Sequence, residues 1–245
     1  MSQLVNELYV PKVASARQRL ETDAALAKLL DPKIEAKKLH LFAIQWCAHG
    51  VHTTAPVDSW IRRAGEACAA MGLTEVGSLL RDHARHEAGH ESMMIHDAHC
   101  LVAQWNRRYP EPLNAERILA QKPLATTQRY AELHEETIAG DAPFAQIAIE
   151  LEIERMSTIL GPPLMAQFHA RLGDEIAGEL TFIPEHIVLD VGHTHYNTKL
   201  LEMCLSKRPE AATRLALTGS SALHAYLDFL GECFSTAETL LEPGA

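Results

Sequence analysis

Apolar residues recur along this chain at the three- and four-residue spacing that lines one face of a helix, and the alternation of a half-buried strand is nearly absent. The periodicity predicts a first helix over 13–30, stopped by Asp31-Pro32 because the residue before a proline avoids the helical region. A second runs from 34 to about 52, and Pro56 with Asp58 restarts it toward Met71-Gly72. Thr74 is placed to cap a long helix reaching about Arg108, with Tyr109-Pro110-Glu111-Pro112 as the loop beyond it. Thr126 or Thr127 begins the next helix, which ends at Gly140. Asp141-Ala142-Pro143 reads as a cap followed by a first-turn proline, opening a helix through about Leu160. Gly161-Pro162-Pro163 reads as a break before a short helix to Gly173. A helix with Pro184 inside it or at its start runs to about Lys207, Arg208-Pro209 ends it, and a last helix occupies roughly 210–241. No low-complexity linker or internal repeat divides the chain. The expectation is an all-α, single-domain bundle over residues 1–245, built from about seven or eight helices.

Composition narrows the function classes. With 47% hydrophobic and 22% charged residues, the chain has the make-up of a soluble globular protein with a substantial core. A net charge of -10 excludes a sequence-independent nucleic-acid binder and disfavours docking on an anionic membrane. The five cysteines (Cys47, Cys68, Cys100, Cys204 and Cys233) are scattered and odd in number, with no C-x-x-C pair. That usage reads as reduced thiols, and with no signal-like or membrane-length apolar segment it predicts a cytoplasmic protein. No nucleotide-binding glycine motif is present.

Fourteen histidines are many for this length, and eight of them fall within 83–99 and 186–195. In the second window His186, Asp190 and His193 follow i, i+4, i+7 spacing, which puts them in one stripe of a helix. Their neighbours Ile187, Val188, Leu189 and Val191 are apolar, so the stripe is expected to look into a packed interior. In the first window His83, Glu87 and His90 repeat the spacing, and Glu87-x-x-His90 is the unit by which helix bundles hold paired metal ions. Gly89, costly inside a helix, would be explained there by a packed neighbour or a nearby metal cluster. In Glu150-Leu151-Glu152-Ile153-Glu154, Glu152 points away from the face that Glu150 and Glu154 share, and one of those two must point inward. A buried carboxylate needs a cation or a metal. Taking Glu154, the set Glu87, His90, Glu154, His186, Asp190 and His193 offers three carboxylates and three imidazoles, a mixture suited to a dinuclear iron site with open positions.

The order Glu-x-x-His, then Glu, then His-x3-Asp-x2-His resembles the haem-oxygenase-like diiron oxidases and oxygenases, relatives of the TenA and PqqC folds. Residues 182–197 are similar to that family's third ligand helix and 154–161 to its middle glutamate segment, within a likeness spanning about 35 to 235. The resemblance implies His186, Asp190 and His193 as ligands, Glu154 as a bridging carboxylate, His90 as a terminal ligand and Glu87 as a carboxylate ligand. It also implies activation of dioxygen, as co-substrate, by two Fe(II) ions cycling through Fe(III). The substrate would be a small amino-acid- or fatty-acid-derived molecule, and the outcome N-oxygenation, desaturation, C–C cleavage or nitrile formation in specialised biosynthesis. Electrons beyond the first cycle would come from an external donor, and a homodimer is common for the fold. Where some members carry a carboxylate one turn before the first motif, this chain has His83, and its preceding helix offers Gln45, His49 and His52 but no glutamate.

Other candidates around the site are Glu150, Gln45, His49, Tyr196 and Lys199, with Lys199 off the stripe and expected in solvent. Two further readings compete. One is a metal-free TenA- or PqqC-like enzyme, a thiaminase-type hydrolase or cofactorless oxidase. The other is a helical protein that binds metal without catalysis.

Overall fold

The structure, a computed structural model, describes residues 3–242, and these are helical without strands. A short π-turn over Val5–Tyr9 leads into α1 (Val10–Thr22), the brief α2 (Ala24–Leu29), α3 (Ala36–Thr54) and α4 (Val57–Ala70). Then come α5 (Thr74–Glu87), α6 (Glu91–Arg108), the short α7 (Ala115–Leu119) and α8 (Ala125–Ala139). The chain closes with α9 (Gln146–Leu172), the single turn α10 (Asp174–Ala177), α11 (Phe182–Lys207) and α12 (Ala212–Thr239). Nine of these have thirteen residues or more, against the seven or eight expected. None among the described residues is long and apolar enough to cross a membrane.

Three departures from the sequence expectation have local causes. The helix predicted over 74–108 is two helices, because Gly89 sits at φ +90°, a left-handed conformation that only glycine adopts cheaply. An added Cβ there would meet nothing within 4 Å, so conformation, not a packed neighbour or a metal cluster, explains this glycine. The first predicted helix breaks at Asp23, whose side chain caps α2 by accepting from Ala25 N and Leu26 N. Conversely, Gly161-Pro162-Pro163 does not break the chain, and α9 runs through it for 27 residues. Both prolines are exposed, so the carbonyls they leave without N–H partners face water, while Gly161, Met165 and Phe168 hold the helix to the core.

Glycine also sets how closely the site-bearing helices approach. A Cβ on Gly161 would lie 2.6 Å from Ile187 Cγ1, so α9 and α11 meet where only a hydrogen fits. On the other side of the site, α4 and α5 pack glycine against glycine: a Cβ on Gly65 would come within 2.7 Å of the Gly77 carbonyl. Two buried ionic anchors fix the rest. Glu152 points away from the site, as expected, and takes a two-pronged pair from Arg17 (2.9 and 2.6 Å) and the Tyr9 hydroxyl (2.9 Å), tying the N-terminal helix to α9. Asp97 on α6 caps α11 from outside, accepting from Thr181 N at 2.8 Å and Phe182 N at 3.0 Å.

These contacts predict opposite signs for two glycine substitutions. Gly77→Val pushes backbone against backbone and should cost about 1–3 kcal/mol, several degrees in Tm. Gly192→Ala, in an exposed stretch of α11 with nothing within 4 Å, should stabilise by up to about 1 kcal/mol. Thermal unfolding of both variants checks the pair.

Candidate metal centre

The centre is assembled where α5 ends, α6 begins, and α9 and α11 cross. Because of the turn at Gly89, Glu87 is the last residue of α5 and His90 the N-cap of α6, so the pair does not share a helix face as the spacing suggested. The turn nevertheless holds them together, with His90 Nδ1 3.2 Å from Glu87 Oε2. One turn back on α5, the fully buried His83 sets Nε2 3.4 Å from Glu87 Oε1 and 3.1 Å from Glu154 Oε1. From α11, His193 Nδ1 lies 2.9 Å from Glu87 Oε1 and 3.9 Å from Glu154 Oε1.

Donor atoms thus converge in two sets, each within a 4.8 Å span: His83, Glu87, Glu154 and His193, and Glu87, His90 and His186. Glu87 belongs to both. His186 donates from Nδ1 to the Phe182 carbonyl at 2.8 Å, which leaves Nε2 as its free donor, and its ring stacks on Phe182 at 3.9 Å. Five of the six expected ligands are brought together, and His83 joins them as the sixth converging donor. Asp190 lies alongside: Ser157 donates to its Oδ2, and its Oδ1 sits 3.5 Å from His193 Nδ1.

Packed this closely, the charges shift one another. Burial opposes ionisation of Glu87, but the His193, His83 and His90 imidazoles outweigh it and hold the carboxyl well below the usual range. Burial likewise disfavours charge on His83, yet Glu154 and Glu87 push it up to about 10. Asp190 and then Glu87 do the same for His193, also to about 10. Glu154 is raised by burial in spite of His83, and Glu150, one turn back on α9, is pushed up to about 8 by burial. Burial lowers His186.

The remaining candidates separate cleanly. Glu150 is buried and accepts from Gln146 Nε2, which also meets His134 Nδ1 at 2.7 Å, so it leads away from the centre into the bundle. Gln45 and His49 on α3 are buried, with Oε1 and Nδ1 unpartnered, and join neither donor set. Tyr196 packs its ring 5.6 Å from His83 and donates to the Leu79 carbonyl, a structural role. Lys199 is exposed, as expected. Val188 and Val191, expected to flank a buried stripe, are 71% and 64% exposed. The inward face of α11 is narrower than their apolar character suggested.

Two residues that the sequence reading passed over hold the acids in place. Asn197 Nδ2 donates to both oxygens of Glu154 at 2.9 and 2.8 Å, and Ser157 holds Asp190. Both were legible as extensions of the same stripes: Asn197 is i+4 from His193, and Ser157 is i+3 from Glu154. Asn197→Ala leaves a buried carboxylate short of its donors. It should cost about 1–3 kcal/mol in urea unfolding of the protein without added metal.

No family model and no curated protein matches the sequence. Solved structures do. A domain of unknown function with a haem oxygenase-like fold from Shewanella denitrificans is 20% identical, with a TM-score of 0.72 over 96% of this chain and 94% of its own. A TenA homologue from Pseudomonas syringae pv. tomato is 11% identical, with a TM-score of 0.66 over 95% of this chain and 93% of its own. The chain has the haem-oxygenase-like fold.

Proposed function

We propose that the protein is a non-haem diiron oxidoreductase that uses dioxygen to oxidise a small amino-acid- or fatty-acid-derived substrate. One observation carries the reading. His83 Nε2, Glu87 Oε1, His90 Nδ1 and His193 Nδ1 are buried without an aligned hydrogen-bond partner, although each residue belongs to one of the two donor clusters, Glu87 to both. Such atoms are costly to bury unless something else satisfies them, and mixed imidazole and carboxylate donors suit iron.

In this reading His83, Glu154 and His193 would hold one ion, His90 and His186 the other, and Glu87 would be shared. When bound, the two ions would supply the binding and activation of dioxygen. The protein's own work is positioning. Asn197 fixes both oxygens of Glu154, the Phe182 carbonyl fixes the His186 tautomer, and Ser157 turns Asp190 beside His193. An apolar cavity that touches His186 and Ser157 would give the substrate side a wall with little polar surface. Further electrons would come from an external one-electron donor. The competing hydrolase reading needs a reactive thiolate, but burial pushes Cys204 up to about 12 and Cys47 well above its ordinary value. Neither lines the cavity.

Anaerobic titration with ferrous iron should give about two ions per chain, followed by oxygen uptake on mixing with air. Glu87→Ala should weaken binding at both positions, and His186→Ala chiefly at one, by at least about 10-fold. Iron uptake that is unaffected in Glu87→Ala would sink the proposal.

A further inference from the structure

We propose that Trp46, Tyr226, Tyr130 and Trp60 form a one-electron relay from the cavity beside the centre to the protein surface. Trp60 is its outer terminus, where an oxidising equivalent comes to rest and an external one-electron donor discharges it. The proposal rests on the diiron reading for the source of that oxidising equivalent, while the line of rings stands independently of it. The chain has three tryptophans and five tyrosines, and four of these eight lie on the line. It starts where His186 stacks on Phe182 at 3.9 Å and Phe182 meets Trp46 edge-on at 5.8 Å. Trp46 from α3 and Tyr226 from α12 both line the cavity that touches His186. The Tyr130 ring, on α8, is 5.7 Å from Tyr226, and the Trp60 ring, on α4, is 6.2 Å from Tyr130. These are the centroid separations of rings in contact. Phenylalanine would fill a core equally well, but of the aromatic side chains tryptophan and tyrosine are the ones that give up an electron readily.

The surroundings of Trp60 set it apart from the other three rings. Its Nε1 donates to Glu135 Oε1 at 2.9 Å, the one hydrogen bond from this line to a carboxylate among the described residues. Glu135 is exposed, and Arg63, donating at 2.8 and 2.6 Å, holds its carboxyl below the usual range and so keeps it ionised as a proton acceptor. The indole also stacks on His134 at 3.9 Å, and burial lowers that imidazole to about 3, so it sets no positive charge against the ring. Burial raises the phenols of Tyr130 and Tyr226, which therefore keep their protons and bridge without resting as radicals. The step balances. One electron passes from Trp60 along the rings to the oxidised centre, and the Nε1 proton passes to Glu135, leaving a neutral indolyl radical. The donor then returns one electron, Glu135 returns the proton, and Trp60 is restored. In the absence of substrate this drains an oxidant that would otherwise attack Met156 and the leucines of the cavity wall.

The test has two arms, both read by electron paramagnetic resonance on protein carrying ring-deuterated tryptophan, which marks a tryptophan radical. In the first, the metal-free full chain is oxidised from solution by photogenerated tris(bipyridyl)ruthenium(III). A tryptophan radical should form, vanish in Trp60→Phe, weaken in Glu135→Gln and survive in Trp105→Phe. In the second, the protein loaded with ferrous iron is mixed with oxygenated buffer without substrate and frozen. The same radical should form from within, and ascorbate, a one-electron donor, should erase it. Tyr130→Leu and, independently, Tyr226→Leu interrupt the line, so each should lower the second signal at least about 10-fold while keeping the first signal and iron uptake. A first signal undiminished in Trp60→Phe would overturn the proposal. So would a second signal undiminished in both leucine variants, or oxygen uptake by the loaded protein with no tryptophan radical. A first arm that succeeds without iron uptake keeps Trp60 as the oxidisable terminus and discards the diiron reading. Iron uptake with a failed first arm does the reverse.

Discussion

The structure of the centre depends on one partly buried carboxylate facing three imidazoles. Glu87 lies at the very end of α5, where the next residues turn away, and His83, His90 and His193 reach it from three directions. Burying that many ionisable groups together is unfavourable unless their charges compensate, and an imidazole–carboxylate cluster compensates only while every member stays in place. The surrounding fold is arranged to keep them there. Gly89 supplies the left-handed turn that returns His90 toward Glu87, Gly161 lets α9 carry Glu154 close against α11, and the Gly65–Gly77 contact seats α5. Asp97 fixes the start of α11 and hence the phase of His186 and His193.

That architecture was largely legible where helical periodicity alone decides. The i, i+4, i+7 stripe on α11 faces the centre, and its extension by one turn would have found Asn197. Asp190, though, is engaged by Ser157, because a side chain on a facing helix competes for it and no single-helix pattern contains that helix. The first histidine window misled for a different reason. Its spacing fits a continuous helix, but Gly89 takes a conformation that breaks it, and Glu87 and His90 meet across a turn instead of along a face. The proline pair in α9 erred in the opposite direction, since a helix survives missing donors when the freed carbonyls face water and its other face is packed. His83 stood one turn before the motif and was weighed only as a neighbour, because its value comes from Glu154, some seventy residues on.

The haem-oxygenase-like fold establishes the frame and leaves the chemistry to the site. His186 borders two environments. On one side lie crowded, partly unpartnered nitrogen and oxygen donors; on the other, a leucine-rich slot without charge. In the proposed function that juxtaposition would serve two needs at once, polar ligands for a metal and an apolar wall for the substrate, and His186 belongs to both.

The claim at the centre of this account is that Glu87 is common to two metal positions. Electron paramagnetic resonance of the protein loaded to saturation with Mn(II), chosen for its stable, readable spin, tests it directly. The account predicts the spectrum of an exchange-coupled pair, since two ions sharing one carboxylate lie close enough to interact. A spectrum of isolated Mn(II) ions at full loading would contradict it and reduce the centre to separate or single sites.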